Sequence, residues 1–243
     1  MLVERKRRSM SKAISWRVLA TLTTMLIVYV FTGKPELTLI IGGFDVVLKM
    51  IFYYCHERVW NRILWGKTKV KPFVLWFTGL SGAGKSTLAE AFVKEFKKYN
   101  VTYEQLDGDV IREVFPKTGF SKEERNMHIR RVGFLAGMLQ RNGVTVICSF
   151  ISPYRDSRRF VRDSTKNFVE VYVSAPLEIC EKRDPKGLYK KVRNGEIKQF
   201  TGINDPYEEP ENPELSINTA EKSIEGCIWQ IFGYLQKKGY ISN

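Results

Sequence analysis

The chain has 243 residues, 44% hydrophobic and 27% charged, which allows one folded domain plus a small second unit and excludes a wholly disordered protein. Its net charge of +13 is uneven: residues 1–71 hold 13 Lys and Arg against 4 Asp and Glu, a net of +9, which leaves +4 for the rest. The basicity therefore belongs to the N-terminal segment, and no nucleic-acid partner is expected. The four cysteines form no CxxC pair, which argues against a zinc site or a disulfide framework and fits a reducing cytosol.

The first predicted element is an apolar run over residues 13–32, preceded by basic residues at positions 5–8 and 12. Residues 18–31 carry no charge, and with its flanks the run nearly spans a bilayer. A signal peptide is disfavoured because no small-x-small cleavage site follows the run.

A second apolar run covers residues 37–54. Gly42 and Gly43 would let another helix pack closely against it. Asp45 and Lys49 are four residues apart, so they can pair on one helix face. Because charges inside a membrane span are costly, this pair should face a partner helix rather than lipid.

The two runs together predict an α-helical transmembrane hairpin over residues 1–71. The link at residues 32–36 is short, which predicts antiparallel helices, and basic residues flank both outer ends, which predicts that both ends are cytoplasmic. The hairpin would then anchor the protein to the membrane. A soluble helical hairpin and an amphipathic pair lying on the membrane surface are the alternatives. The segment resembles a small two-span membrane-domain family of unassigned function.

A phosphate-binding loop follows a predicted buried strand at residues 73–77 and precedes an amphipathic helix. Residues 79–86 read GLSGAGKS and fit GxxxxGK[ST] through Gly79, Gly84, Lys85 and Ser86. In this motif backbone N–H groups close around phosphates, the lysine reaches the β- and γ-phosphates, and the hydroxyl ligates Mg²⁺. The loop therefore predicts binding of ATP with Mg²⁺.

Two carboxylates, Asp107 and Asp109, end a second predicted strand at residues 101–106. The carboxyl edge of a parallel sheet is where such folds bind ligands. With Arg112 one helical turn further on, the pair suits a metal-bound phosphate donor facing an anionic acceptor, although a solvated turn is the alternative. No acidic residue ends the next strand, residues 144–151, so Asp107 is predicted to ligate the metal with Ser86.

The helix beginning after Ser121 has a capping box with Glu124, which leaves Phe120 at the helix mouth. Arg125 and His128 lie on one stripe of this helix, a pattern that is also typical of a solvated face. The packing face is predicted to be formed by the larger apolar residues, which are Ile129, Phe134, Leu135, Met138 and Leu139.

The sequence pattern of the C-terminal part predicts a strand at residues 168–173, a short helix at 176–182 and a long helix at 221–238. The segment between the two helices has no periodicity. Residues 184–214 are basic and aromatic, then rich in Pro and Glu, which favours a mobile lid that brings a lysine to the transferring charge and excludes water. A plain surface loop is the alternative. The fold class predicted for residues 72–243 is α/β, with a parallel sheet flanked by helices.

Taken together, the motifs resemble adenylylsulfate (APS) kinase, in collinear order over about residues 72–240. They occupy residues 79–87, 106–109, 119–121, 129–131, 150–155, 186–190 and 200–203. The resemblance implies a P-loop kinase that converts ATP and APS into ADP and 3′-phosphoadenylylsulfate (PAPS) in sulfate assimilation or activation. A homodimer is one expectation for its assembly.

The resemblance also implies residue roles. The ATP phosphates would be held by Gly79, Gly82, Ala83, Gly84, Lys85, Ser86 and Thr87. The catalytic group would be Lys85, Asp107, Asp109, Ser152 and Lys186. The APS site would comprise Asp109, Arg112, Phe120, Arg125, His128, Ile151, Ser152, Lys186 and Phe200, with the two phenylalanines stacking on adenine. Ser152 is sometimes assigned in the family as a phosphoserine intermediate, but in-line transfer within a closed ternary complex needs no covalent step.

One position departs from the family pattern, because His128 stands where asparagine usually precedes Ile-Arg-Arg. Two alternatives therefore accompany the APS kinase hypothesis. One is a related kinase for another nucleotide conjugate, and the other is a non-catalytic membrane regulator that only binds nucleotides. The intact Lys85, Ser86, Asp107, Asp109 and Lys186 argue against the regulator.

Overall fold

The computed structural model describes residues 6–62, 70–99, 101–115 and 119–242. The chain divides into two compact units, Met1–Lys67 and Thr68–Asn243. The composition and the motifs predict a boundary between residues 71 and 72, and that boundary stays a prediction.

The N-terminal unit is a helical hairpin. Helix α1 spans Lys6–Thr32 and α2 spans Pro35–Arg62, so only residues 33 and 34 connect them. Gly33 adopts a φ of 64° in this link, a left-handed conformation that glycine accepts without strain. The predicted pair of antiparallel helices is therefore present, and each helix is longer than its apolar run.

A glycine and a lysine of α2 both lie close to α1. A Cβ atom on Gly42 would lie 2.8 Å from Cγ of Met25, so this glycine permits close approach of the helices. Lys49 pairs with Asp45 at 2.7 Å and lies 3.5 Å from the Thr24 hydroxyl of α1. The predicted pairing of Asp45 with Lys49 is confirmed, and the lysine also reaches the other helix.

Within the described residues, one helical stretch, Pro35–Cys55, is long and apolar enough to cross a membrane. The stretch has 21 residues, and the mean hydropathy is 1.6 over a window of 18 of them. In the described part of α1 a shorter apolar stretch, Ala20–Thr32, is present. Length and composition therefore support one of the two predicted spans directly.

The C-terminal unit is built on a five-stranded, fully parallel sheet with the order β2-β3-β1-β4-β5. The strands are β1 Val74–Thr78, β2 Tyr103–Asp107, β3 Thr145–Ser149, β4 Phe168–Ser174 and β5 Leu215–Asn218. Strands β1 and β3 are buried on both faces, as their unbroken apolar sequences predict. The predicted α/β fold with a parallel sheet is confirmed.

Helices cover both faces of this sheet. They are α3 Lys85–Phe96, α4 Gly108–Val114, α5 Lys122–Arg141, α6 Arg155–Ser164, α7 Leu177–Arg183, α8 Leu188–Arg193 and α9 Ile224–Lys237, with a 3₁₀ turn at Lys97–Tyr99. On one face Leu75 and Phe77 join the core formed with α3 and α9. On the other face Val74 and Trp76 join the core formed with α5 and α6. The alternation along β1 thus sends neighbouring side chains into two separate cores.

The packing face of α5 differs from the prediction. Phe134 and Met138 are exposed, at 58% and 40%, so the expectation that they pack in the core is wrong. The buried face instead carries Gly133 and Gly137, where a Cβ would meet Val161 at 2.5 Å and the Ser164 carbonyl at 2.8 Å. Helix α6 approaches α5 too closely for large side chains at these positions. The stripe with Arg125 and His128 is buried as well, rather than solvated.

Candidate active site

The carboxyl ends of the strands open into a cavity of about 910 Å³. Two predicted elements meet there, the phosphate-binding loop after β1 and Asp107 at the end of β2. All nine residues predicted to contact APS line this cavity, as do Gly82, Gly84, Lys85, Ser86, Thr87 and Asp107. Gly79 and Ala83 lie behind it, since Ala83 is fully buried and a Cβ on Gly79 would meet the Val173 carbonyl at 2.3 Å.

Long-range hydrogen bonds hold the phosphate-binding loop in shape. The Tyr189 hydroxyl donates to the Ser81 carbonyl at 2.9 Å. The Thr219 hydroxyl donates to the Ala83 carbonyl at 2.8 Å, and Arg183 donates to both the hydroxyl and the carbonyl of Thr219. The loop is therefore fixed from the segment after α7 and from the end of β5.

Lys85 begins α3 at the base of the loop, where only 9% of it is exposed. Its ammonium group donates to the Leu80 carbonyl at 2.8 Å. Burial lowers the pKa of Lys85 to about 8, an effect that the nearby Asp107 and Asp109 carboxylates oppose. The ammonium is buried and has one neutral loop carbonyl as its hydrogen-bond partner. It can form a stronger, charge-assisted hydrogen bond with a phosphate.

Asp107 accepts three hydrogen bonds that fix its carboxylate beside the loop. The donors are the Ser86 hydroxyl at 2.9 Å, the Ser149 hydroxyl at 2.6 Å and the Asp109 amide at 3.0 Å. Burial alone would raise the pKa of Asp107, but these hydrogen bonds outweigh it and keep the pKa below its usual value. The carboxylate therefore stays ionised, and the predicted metal ligands Ser86 and Asp107 are hydrogen-bonded to each other.

Phe120 and two arginines form the opposite part of the cavity lining. The Phe120 ring is 54% exposed, and the guanidinium groups of Arg112 and Arg125 lie 4.7 and 5.4 Å from its centroid. An exposed aromatic face with cations at its side can stack on a purine and reach an attached anion. These features fit the predicted APS site.

Arg125 has more partners within the protein than the sequence indicated. It donates to the Phe120 carbonyl at 2.7 Å, to the Gln199 carbonyl at 2.8 Å and to the Thr201 hydroxyl at 3.0 Å, and it lies 3.3 Å from Asp205. Only 6% of the residue is exposed. Its guanidinium therefore joins the start of α5 to residues 199–205, and its contact with APS stays a prediction.

His128 is buried without a hydrogen-bond partner among the described residues. Both ring nitrogens are unpaired, the residue is 2% exposed, and it lines the cavity beside Phe115 and Phe150, whose ring centroids are 6.3 and 6.0 Å away. Burial lowers its pKa to about 4, with further lowering by Arg112 and Arg131. The imidazole is neutral at physiological pH, so it can donate one hydrogen bond and accept one.

The predicted lid, residues 184–214, consists of two parts with different contacts. In the first part Lys186 pairs with Asp109, and Phe200 is 7% exposed with its ring 4.9 Å from that of Tyr189. This part also contains α8, a helix that was not predicted because its sequence shows no clear periodicity. The second part, from Glu208 to Glu214, is tied to α6 and to residue 153, for example through the Glu208 amide and the Pro153 carbonyl at 2.8 Å. The predicted lid is therefore narrowed to the first part, and it stays a prediction.

Sequence reasoning missed several residues that shape the site. Ser149 follows from no motif, and its contact with Asp107 needs the parallel register of β2 and β3. Arg183 and Thr219 are 36 residues apart and meet only because β4 and β5 are neighbours. Tyr189 is an aromatic residue within a basic segment, and this pattern predicted that it belongs to the lid. The pattern did not predict its contact with the phosphate-binding loop.

Comparison with known families gives two matches along the chain. Residues 71–218 match the model of adenylylsulphate kinase. Residues 10–61 match a family described as predicted membrane protein, of unassigned function. The two matches fall in the two compact units of the fold.

Individual relatives match the C-terminal unit over nearly their full length. The adenylyl-sulfate kinase of Rippkaea orientalis is 51% identical over 175 residues, which cover 72% of this chain and 97% of the relative. That of Halothermothrix orenii is 48% identical over 173 residues, with 71% and 94% covered. Among solved structures, the APS kinase of Mycobacterium tuberculosis in complex with AMPPNP and APS has a TM-score of 0.66 and 37% identity, covering 69% of this chain and 99% of that one.

Proposed function

The chain belongs to the adenylylsulphate kinase family, and we propose from this premise that it transfers the γ-phosphoryl group of ATP to the 3′-hydroxyl of APS, giving ADP and PAPS. The observation that carries the proposal is that one cavity is lined both by the phosphate-binding loop and by Phe120, Arg112 and Arg125. The relative from Mycobacterium tuberculosis, whose structure contains AMPPNP and APS, supports a site for two nucleotides. Sulfate assimilation or activation would use the product.

On the donor side, the loop amides and Lys85 would bind the ATP phosphates. The ammonium would exchange the Leu80 carbonyl for phosphate oxygens, which are stronger partners because they are charged. Burial of Lys85 makes this charge effective, since electrostatic stabilisation is stronger where water is excluded.

Ser86 and Asp107 fit a bound Mg²⁺ because both supply hard oxygen ligands and lie together beside the loop. No group of three or more His, Cys, Asp or Glu side chains suited to a metal occurs in the described part of the chain. A two-ligand site is usual for Mg²⁺, which keeps several waters and binds substrate phosphates. When bound, the ion would neutralise charge on the phosphates.

On the acceptor side, we infer that Phe120 and Phe200 sandwich the adenine of APS. Phe120 lies just before the N-cap of α5 and Phe200 belongs to the predicted lid, so the sandwich would form when the lid closes. Arg112 would contact the phosphosulfate, and the paired Lys186 and Asp109 would act at the transfer site. In-line transfer then needs only positioning and charge stabilisation.

The unpaired His128 favours a second candidate, a kinase for another nucleotide conjugate. A buried imidazole with two free nitrogens costs about 1–3 kcal/mol unless a ligand supplies a partner. If that ligand is APS, His128→Asn should preserve APS turnover, because asparagine also offers a donor and an acceptor. If His128→Asn abolishes activity on another acceptor, and the wild type ignores APS, the second candidate replaces the first.

The direct test is an assay of ADP release by the purified protein with APS, adenosine 5′-phosphate or cytidine diphosphate conjugates as acceptors. The proposal predicts turnover with APS and little with the others. ADP release at the same rate with no acceptor, or turnover only with another conjugate, would contradict it.

We also propose that the N-terminal hairpin anchors the kinase in a membrane with both ends in the cytoplasm. Support comes from the apolar stretch Pro35–Cys55, the match to a predicted membrane family and the basic residues outside both apolar runs. Residues 1–67 fused to a reporter should resist carbonate extraction, and residues 68–243 should be soluble and active. Release of the fusion by carbonate would contradict the anchor, and light scattering of residues 68–243 would test the predicted homodimer.

A further inference from the structure

Ser152 has an unusual backbone conformation at the acceptor side of the cavity. Its φ is 41°, in the left-handed region that residues other than glycine rarely adopt. Such conformations cost about 1–3 kcal/mol and persist only where surrounding contacts hold them. Ser152 lines the cavity between Ile151 and Pro153, so the contacts that maintain this turn also shape the site.

The Ser152 hydroxyl belongs to a hydrogen-bond network. The donor and acceptor in each of its bonds can be assigned, because some of its members can only donate or only accept. Trp76 Nε1 lies 3.1 Å from Ser152 Oγ, and since indole is only a donor, the serine must accept there. Ser152 Oγ then donates to Thr78 Oγ1 at 2.8 Å. The serine proton is therefore committed to Thr78.

Thr78 is the centre of the network. Its hydroxyl lies 2.8 Å from the Ile151 carbonyl, which can only accept, so the threonine proton points there. The Tyr207 hydroxyl lies 2.9 Å from Thr78 Oγ1 and must therefore donate to it. With one bond donated and two accepted, the Thr78 hydroxyl is fully used.

This arrangement argues against Ser152 as a nucleophile. The side chain belongs to a residue that is 1% exposed, its proton is bonded to Thr78, and Lys85, whose amine could act as a base, is bonded to the Leu80 carbonyl instead. The chemistry available to Ser152 is thus positional: it fixes the turn that follows Ile151.

Two neighbouring side chains contact the ring of Tyr207. The Tyr172 ring stacks on it at 6.0 Å, and the Arg158 guanidinium lies 5.7 Å from its centroid. Arg158 also donates to the carbonyls of Ser152 and Glu208, each at 2.6 Å. The segment containing Tyr207 is therefore connected to the Ser152 turn by two independent routes.

We propose that Tyr207 is a positioning residue for the reaction, which holds the Ile151–Ser152 turn in its APS-binding form through the hydroxyl of Thr78. This inference rests on the proposed function. It assigns a role in acceptor binding to the residue that immediately precedes the part of the predicted lid tied to α6, even though Tyr207 does not line the cavity.

The test compares Tyr207→Phe, which removes one hydroxyl, with Tyr234→Phe on α9 as a matched control. Tyr207→Phe should raise the KM for APS about three- to tenfold while kcat and the KM for ATP change less than twofold. Thr78→Val should have a larger effect of the same kind, and Thr78→Ser, which keeps the hydroxyl, should restore the wild-type KM. Thermal unfolding of each variant separates loss of folding from loss of positioning.

The outcomes distinguish this inference from the proposed function. If the wild type turns over APS but Tyr207→Phe leaves its KM unchanged, or raises the KM values for APS and ATP equally, the positioning role is wrong and the kinase assignment stands. If the wild type does not turn over APS, both fail. After incubation with ATP alone, mass spectrometry should find no phosphate on Ser152, and a phosphorylated Ser152 would overturn the positional role.

Discussion

The Lys186 ammonium forms an ion pair with the Asp109 carboxylate, which joins the first part of the lid to the first turn of α4. Both side chains are more than half exposed, at 51% and 66%. Exposed pairs of this kind contribute about 0–1 kcal/mol, so the lysine can readily exchange its carboxylate partner for a phosphate. The pair therefore keeps Lys186 beside the cavity without holding it tightly.

Replacing Lys186 should affect catalysis far more than stability. We expect Lys186→Ala to lower kcat at least about a hundredfold, or ~2.7 kcal/mol, because it removes charge stabilisation of the transferring group. Steady-state kinetics with APS and ATP measures this effect. The matched control is Lys190→Ala, an exposed lysine on α8 that should stay within twofold of wild type. Equal losses in the two variants would show that Lys186 has no special role.

The pH dependence of ATP capture should report Lys85. Because its pKa is lowered to about 8, the Lys85 ammonium loses its charge as the pH rises through that value. The kcat/KM for ATP should therefore be constant at pH values just below 8 and should fall above pH 8. kcat should fall only at higher pH, since bound phosphates favour the charged lysine. Lys85→Arg keeps its charge, so its residual activity should lack the fall near pH 8. A wild-type kcat/KM that is constant to pH 9.5 would contradict this assignment.

Phe120 should contribute to acceptor binding and little to ATP binding. A lost stacking face is worth about 1 kcal/mol, so Phe120→Ala should raise the KM for APS roughly fivefold. Phe134→Ala is the matched control, because Phe134 has a similar exposure, 58% against 54%, and does not line the cavity. The stacking role is refuted if both variants behave alike. Phe200→Ala is a less clean test because Phe200 is buried against Tyr189.

Arg125 should be more sensitive to substitution than an exposed arginine. Its hydrogen bonds to Gln199 and Thr201 fix the end of the lid, so Arg125→Ala should lower kcat/KM for APS at least about thirtyfold, or ~2 kcal/mol. Arg125→Lys should not restore activity, because an ammonium cannot reproduce the guanidinium geometry. Hydrogen exchange at residues 199–205 should increase in both variants and remain unchanged in Arg159→Ala. Wild-type kinetics for Arg125→Lys would argue against the role of the guanidinium.

Much of this architecture could be predicted because its signals are local. The phosphate-binding loop, the first four strands and the capping box of α5 follow from spacing within about ten residues, and the capping box is present as predicted. The resemblance to APS kinase, which rests on several such motifs in order, is confirmed by the family match.

The elements that were missed depend on contacts between distant residues. Helix α6 has the sequence RDSRRFVRDS, whose charges predict a surface segment, yet Arg158 is 3% exposed because Glu170 on β4 pairs with it at 2.9 Å. Strand β5 has only four residues and is defined by its pairing with β4. The packing face of α5 was predicted wrongly for the same reason. Its close approach to α6 requires Gly133 and Gly137, and a pattern of hydrophobic residues does not identify glycines as packing positions.

Phosphoryl transfer from ATP to the 3′-hydroxyl of APS can be tested by following the γ-phosphoryl group itself. The purified protein is incubated with Mg²⁺, APS and ATP labelled in its γ-phosphate, and the products are separated and treated with a 3′-nucleotidase. We expect one labelled product that migrates as PAPS and releases all of its label with this enzyme. Label that stays on ATP, appears only as inorganic phosphate, or resists the 3′-nucleotidase after transfer would contradict it.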